Sequence, residues 1–159
     1  MHYALSIMVL IYLGLGTNLG DKAGNLNEAI NKLSSEVGRI VRKSAFYASK
    51  PLGFESENDF LNAVVLVETN LSPVALLAKT QEIERELGRT AKSVNGYADR
   101  IIDIDILLYG NLIINDAALK IPHPLITVRD FVFIPLLEIA PELVDPVSGL
   151  QYNTIIIPE

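Results

Sequence analysis

No cysteine occurs anywhere in the chain. Disulfides, thiolate nucleophiles and zinc–sulfur centres are therefore excluded, which suits a reducing cytoplasm. A membrane-spanning run is also lacking. The apolar stretch Ala4 to Leu15 is too short to cross a bilayer, has no basic leader and ends in Gly14-Leu15-Gly16 rather than a cleavage site. It reads as a buried central strand. Positive charge is scarce as well: 13 Lys and Arg face 19 Asp and Glu, for a formal net charge of −6. The broad cationic surface that nucleic-acid binding requires is not available. Internal repeats, linkers and low-complexity segments are absent, and histidine is limited to His2 and His123.

What remains describes a globular chain. Half of the 159 residues are hydrophobic and a fifth are charged, as expected of one domain spanning residues 1–159 with a substantial core. Met8 is a second candidate start, so residues 1–8 read as a disordered or non-native extension. The few basic residues are unevenly spread. Arg85, Arg89, Lys92 and Arg100 fall within one sixteen-residue window, a local cationic patch that fits a small polyanion better than a duplex.

The hydrophobic periodicity predicts a strand over Val9–Leu15 and a tight turn at Gly16-Thr17-Asn18-Leu19-Gly20-Asp21. A helix follows over Lys22–Val37, closed by Gly38, then a strand over Arg39–Ala48 and a loop over Ser49–Asp59. Phe60–Thr69 is a further strand. Ser72-Pro73 starts a second helix that runs to about Leu87 and stops at Gly88. A polar connection over 89–100 leads into a strand rich in isoleucine and aspartate. Asn115 and Asp116 mark a turn, Ile121-Pro122-His123-Pro124 is kinked, Ile134–Ala140 is a short helix, and Ser148-Gly149 centres a terminal hairpin. The order is that of an α+β, ferredoxin-like βαββαβ sandwich: a mostly antiparallel four-stranded sheet, helices on one face, and an irregular C-terminal extension.

The segment Arg100-Ile101-Ile102-Asp103-Ile104-Asp105-Ile106 carries the clearest chemical signal. Alternation with period two puts Ile102, Ile104 and Ile106 on one side of a strand and both carboxylates on the other. Carboxylates two residues apart are separated by roughly 6.5–7 Å. At an effective dielectric near 20 they repel by about 2–2.5 kcal/mol. A multivalent cation removes that cost, and Mg²⁺ with phosphate is a usual occupant of such a pair. A solvated acidic face on an edge strand has the same pattern.

Other candidates are less specific. Gln81, Glu84 and Arg85 read as solvated helix surface, while Arg89, Lys92 and Arg100 have the chemistry to converge on a triphosphate. His123, fixed between two prolines, is a candidate donor to phosphate or ribose, with Arg129 six residues on. Spacing alone assigns two of the three residues Phe54, Phe60 and Phe131 to the core. Asn62 stands in an apolar strand, where a buried amide needs partners that a planar heterocycle has the donors and acceptors to supply. The glycine turn is only loosely like a phosphate-binding loop and lacks the P-loop lysine.

Taken together, separated segments resemble the 6-hydroxymethyl-7,8-dihydropterin pyrophosphokinase family. They are Leu15-Gly16-Thr17-Asn18-Leu19-Gly20, Ser49-Lys50-Pro51-Leu52-Gly53, Asp59-Phe60-Leu61-Asn62-Ala63, and Gln81-Glu82-Ile83-Glu84 with Gly88-Arg89. The Arg100–Leu107 strand follows, then Pro122-His123-Pro124, Arg129-Asp130-Phe131 and Pro135-Leu136-Leu137-Glu138-Ile139-Ala140-Pro141. The resemblance implies a Mg²⁺-dependent ATP diphosphotransferase of folate biosynthesis that passes pyrophosphate to the pterin hydroxymethyl group and releases AMP. It implies two Mg²⁺ ions on Asp103 and Asp105, and an ATP site of Glu84, Arg89, Lys92, Arg100, His123 and Arg129. The pterin pocket would be Ser49, Leu52, Phe60, Asn62, Tyr97 and Phe131. Catalysis would rest on Asp103, Asp105, Arg89 and Arg100, with Asp105 assisting deprotonation of the attacking hydroxyl. Partners would be the two small substrates alone, without nucleic acid or membrane, in a monomer or weak homodimer.

The chain departs from the family pattern at Tyr97-Ala98-Asp99, where tryptophan, glycine and proline are common, and at Pro124, where tyrosine is frequent. Those changes bear on loop closure and nucleotide affinity. Two other classes are the alternatives: a ferredoxin-like small-ligand-binding module without chemistry, which needs neither the aspartate pair nor the cationic loop, and a metal-dependent phosphohydrolase, which needs a water-activating site and no heterocycle pocket.

Overall fold

The computed structural model describes residues 7–51, 56–88 and 101–155. The chain runs through β1 (Val9–Thr17), α1 (Lys22–Glu36), β2 (Gly38–Lys43), β3 (Tyr47–Ser49), β4 (Phe60–Thr69), α2 (Pro73–Glu86) and β5 (Asp103–Tyr109). A two-residue hairpin of β6 (Ile114–Asn115) and β7 (Lys120–Ile121) follows, then α3 (Asp130–Ile139) and α4 (Tyr152–Ile155). The main sheet has the order β2-β4-β1-β5, with β3 also paired to β4, and each pairing is antiparallel. This is the ferredoxin-like βαββαβ arrangement.

Alternation along the two central strands builds two cores. Ile11, Leu13 and Leu15 of β1 and Ala63, Val65 and Val67 of β4 face α1 and α2, packing on Leu26, Leu33, Leu76 and Ile83. Ile102, Ile104 and Ile106 join the same cluster, as their period-two spacing predicts. On the opposite face Val64, Leu66, Leu107 and Leu108 pack against Val132, Leu136 and Ile139 of α3 and Tyr152 of α4. Each fully buried Leu or Ile contributes about 1.5–3 kcal/mol relative to exposure. Burial on both faces explains the unbroken apolar run in β4.

Caps fix the helix starts. The Asp21 carboxylate accepts from Gly24 N–H at 3.0 Å and Ser72 Oγ from Ala75 N–H at 3.2 Å, with Pro73 opening α2 as expected. Gly88, at φ +105°, ends α2 in the left-handed conformation.

Four expectations change. The predicted strand Arg39–Ala48 is divided by bulges: Val41 is extra between the pairs Ile40–Val67 and Arg42–Leu66, and Ser44 to Phe46 oppose only two residues of β4. Gly38 is no helix stop by positive φ. It begins β2 where a Cβ would stand 2.0 Å from the Glu68 carbonyl oxygen, so close strand approach demands glycine. The third helix begins at Asp130 rather than Ile134, with Pro135 inside it. Within the C-terminal extension, α3 and α4 cover part of the second sheet face. The expected terminal hairpin shrinks to one bridge, Val144–Gln151, around an Asp145-centred turn with Gly149 at φ +74°.

Candidate active site

Among the described residues, α3 and α4 leave part of the second sheet face uncovered, a trough whose floor is glycine. In register, Gly16 of β1 lies between Asn62 of β4 and Asp103 of β5, and Gly14 lies beside Asp105. A Cβ on Gly16 would stand 3.2 Å from Asn62 Oδ1 and 3.8 Å from Phe60 Cδ1. At Gly14 the corresponding space is filled by Leu107, 3.4 Å away. Leu107 thus covers the sheet at Gly14, whereas at Gly16 the neighbours are Asn62 and Phe60. Phe60, Asp103 and Asp105 are all half-buried on this side of the sheet.

Asn62 is buried, and its amide is already committed on one side. Nδ2 donates to the Tyr47 carbonyl at 3.0 Å and to Ser49 Oγ at 2.8 Å. The expected need for a heterocycle to satisfy the whole amide is thus corrected. Both donors are satisfied within the protein, and the part turned toward the trough is the acceptor Oδ1. Ser49, half-buried on β3, reaches the site through this bond.

The carboxylate pair stands on an edge strand that α2 steadies. Glu84 Oε2 accepts from the Ile104 N–H at 2.9 Å, so this side chain positions β5 whatever else it does. One extra residue, Leu107, sits between the pairs Leu13–Ile106 and Tyr12–Leu108, and its carbonyl accepts from the His123 N–H at 2.9 Å. The bulge thereby docks the Pro-His-Pro segment beside the aspartates. His123 Nδ1 accepts from Leu125 N–H at 3.1 Å, which places the proton of the neutral ring on Nε2. Burial and the Arg129 guanidinium hold the imidazole below its usual pKa, against an opposing pull from the Asp103 carboxylate. Arg129 also lies over the Phe131 ring, 5.6 Å from its centroid. Asp103, His123, Arg129 and Phe131 thus share one neighbourhood.

Leu52, Arg89, Lys92, Tyr97 and Arg100, together with Phe54, lie outside the described residues. A chain of supporting contacts was not foreseen. Lys22 Nζ donates to the Asp59 carbonyl at 2.8 Å and Asn18 Nδ2 to that of Asn58 at 3.2 Å, tying the glycine turn to the approach to β4. Glu138 of α3 accepts from Ala45 N–H at 2.8 Å and from the Tyr47 hydroxyl at 2.9 Å. Asn18, two residues past Gly16, is buried, and nothing but its polar side chain in the turn marked this in the sequence. Among the described residues, one group of three acidic side chains, Glu36, Glu82 and Glu86, is close enough to hold a cation, and Lys32 and Lys79 already pair with it.

Fold and site together define an α+β protein of ferredoxin-like topology, with a carboxylate pair, a histidine and a buried amide on one half of a sheet face. The model of the family 7,8-dihydro-6-hydroxymethylpterin-pyrophosphokinase (HPPK) matches residues 12–141. The chain belongs to this family. It is 49% identical over 138 residues to the 2-amino-4-hydroxy-6-hydroxymethyldihydropteridine pyrophosphokinase of Porphyromonas gingivalis, covering 86% of this chain and 94% of that one. The protein of the same name from Aquifex aeolicus is 44% identical over 140 residues, covering 88% and 86%. Among solved structures, Plasmodium falciparum HPPK-DHPS wild type with pteroate superposes at a TM-score of 0.75 and 16% identity, over 94% of this chain. This chain spans 44% of that longer protein, and the likeness concerns the fold alone.

Proposed function

We propose that this chain transfers a pyrophosphoryl group from ATP to the hydroxymethyl group of 6-hydroxymethyl-7,8-dihydropterin, a step of folate biosynthesis that releases AMP. One observation carries the assignment to these residues. Gly16 separates a recognition amide, Asn62, from a carboxylate, Asp103, by one strand on either side, so a ring at the first reaches phosphate at the second. Asn62 Oδ1 would accept from the N–H groups on the amino-oxo edge of the pterin, and Phe60 and Phe131 would cover its faces. Ser49, Leu52 and Tyr97 would complete the pocket.

Asp103 and Asp105 suit Mg²⁺, because two half-buried carboxylates on one side of a strand, Asp103 beside the side-chain-free Gly16, form a hard-oxygen donor set. When bound, two Mg²⁺ ions would neutralise the triphosphate oxygens. His123 Nε2–H and Arg129 would donate to phosphate oxygens, alongside Glu84 as the brace of β5 and Arg89, Lys92 and Arg100 from the basic segment. The hydroxymethyl oxygen attacks the β-phosphorus. Its proton passes to Asp105, the bond from that phosphorus to the α–β bridging oxygen breaks, and AMP departs with that oxygen. Positioning and charge stabilisation supply most of the acceleration in such transfers. Among the described residues no helix is long and apolar enough to cross a membrane. A cytoplasmic monomer or weak homodimer is the setting we assign.

The test is AMP release from ATP and Mg²⁺ with and without the dihydropterin. AMP that appears only with pterin is the expected result. Inorganic phosphate without pterin points to a phosphohydrolase, and nucleotide binding without turnover to a binding module. Asp105→Asn is expected to lower kcat by at least about a hundredfold, the usual weight of a general base; unimpaired turnover at saturating Mg²⁺ would remove its assigned role.

A further inference from the structure

The bulge between β2 and β3 leaves backbone groups outside the ladder, and their partners come from two places. Ser44 is buried and pairs with Val64 on both sides: its N–H donates to the Val64 carbonyl and its Oγ accepts from the Val64 N–H, each at 2.9 Å. The next N–H, that of Ala45, is taken by Glu138 Oε2, while Glu138 Oε1 takes the Tyr47 hydroxyl. Arg42 adds a third tie, donating from Nη1 to the Ile139 carbonyl at 2.9 Å. The C-terminal turn of α3 thus grips the bulge from outside the sheet.

What the bulge controls is the Asn62 amide. Tyr47 and Ser49, the residues that follow it on β3, supply the carbonyl and hydroxyl that consume both Asn62 donors. If β3 drifts, those acceptors move and the amide is free to turn its NH₂ into the trough. The first turn of the same helix carries Phe131. One helix therefore bears both a residue that the pterin reading places on a ring face and the brace of the partners of Asn62.

We propose that Glu138 is a positioning residue for the heterocycle, acting through Ala45 and Tyr47 to hold Asn62 with Oδ1 toward the ligand. The inference rests on the pterin reading of the trough. Glu138 is exposed, so water replaces part of what its removal costs and the effect is moderate. Glu138→Ala is expected to raise the pterin KM roughly fivefold, with the ATP KM and kcat within about twofold of wild type. Glu138→Gln keeps both contacts, since its carbonyl accepts from Ala45 and its NH₂ donates to the Tyr47 oxygen, and stays within about twofold throughout. Tyr47→Phe, which loses one contact, raises the pterin KM about threefold.

An unchanged pterin KM in Glu138→Ala overturns the proposal, as does an equal loss for both substrates that Glu138→Gln does not rescue. Should Glu138→Ala fail to fold, Tyr47→Phe decides: a wild-type pterin KM there overturns it. Wild-type protein that releases no AMP in response to pterin removes the pterin reading and this inference with it. Normal wild-type turnover with unaffected variants removes the inference alone.

Discussion

At the level of single residues, the trough depends on what is missing from Gly16 as much as on what is present beside it. A methyl group there would press on Asn62 Oδ1 at 3.2 Å while the strand conformation itself tolerates alanine. Gly16→Ala should raise the pterin KM about tenfold, equivalent to 1.4 kcal/mol, with the melting temperature within about 4 °C of wild type; steady-state kinetics beside a thermal melt checks both. His123 gives a pH signature. Its folded-state pKa is depressed, so below about pH 6.5 the unfolded chain takes up a proton that the folded chain refuses. Stability contributed by the neutral ring is present above that pH and is lost as pH falls toward the folded pKa. Melting temperatures of metal-free protein between pH 5 and 7 should fall more steeply with acid for wild type than for His123→Gln. The aspartate pair, the histidine and the strand amide were visible in sequence because each is an unusual residue in its local pattern. The direction of the Asn62 amide was not, because it is set by a backbone carbonyl, and every residue has one.

Elements were legible where a period ran uninterrupted. Alternating isoleucines located β5 and its buried face, and Ser72-Pro73 located the start of α2. The segment after α1 read as one strand because a bulge adds a residue without leaving a mark in hydropathy: Val41 and Ser44-Ala45-Phe46 look like ordinary strand sequence. Gly38 followed a helical pattern and so looked like a stop, although its constraint comes from Glu68, thirty residues away. The start of α3 was missed since Pro135 commonly sits near a helix boundary. Gly38→Ala should destabilise the fold by about 2–3 kcal/mol, through forced separation of β2 from β4. A denaturant midpoint near wild type would contradict that view of the contact. Glu84→Ala, which leaves the Ile104 N–H to water, should cost about 1 kcal/mol and weaken Mg²⁺–ATP binding through the displaced strand.

For the molecule as a whole, the two sheet faces divide the work. One is sealed under α1 and α2. Among the described residues the other is covered by α3, α4 and Ile126, and the remainder carries the carboxylates and the amide. Because the cores need no ion, chelation should abolish turnover yet leave the melting temperature of the unliganded protein unchanged. Mg²⁺–ATP at about a hundred times its Kd should then add about 2.7 kcal/mol of stability; a calorimetric scan with and without chelator tests both. This division also sets where resistance to a trough-filling compound would arise. Phe131 packs on the second cluster and Asn62 is tied to β3, so escape through either would erode the protein as well as the drug. A compound that takes its affinity from those two positions would be the harder one to evade.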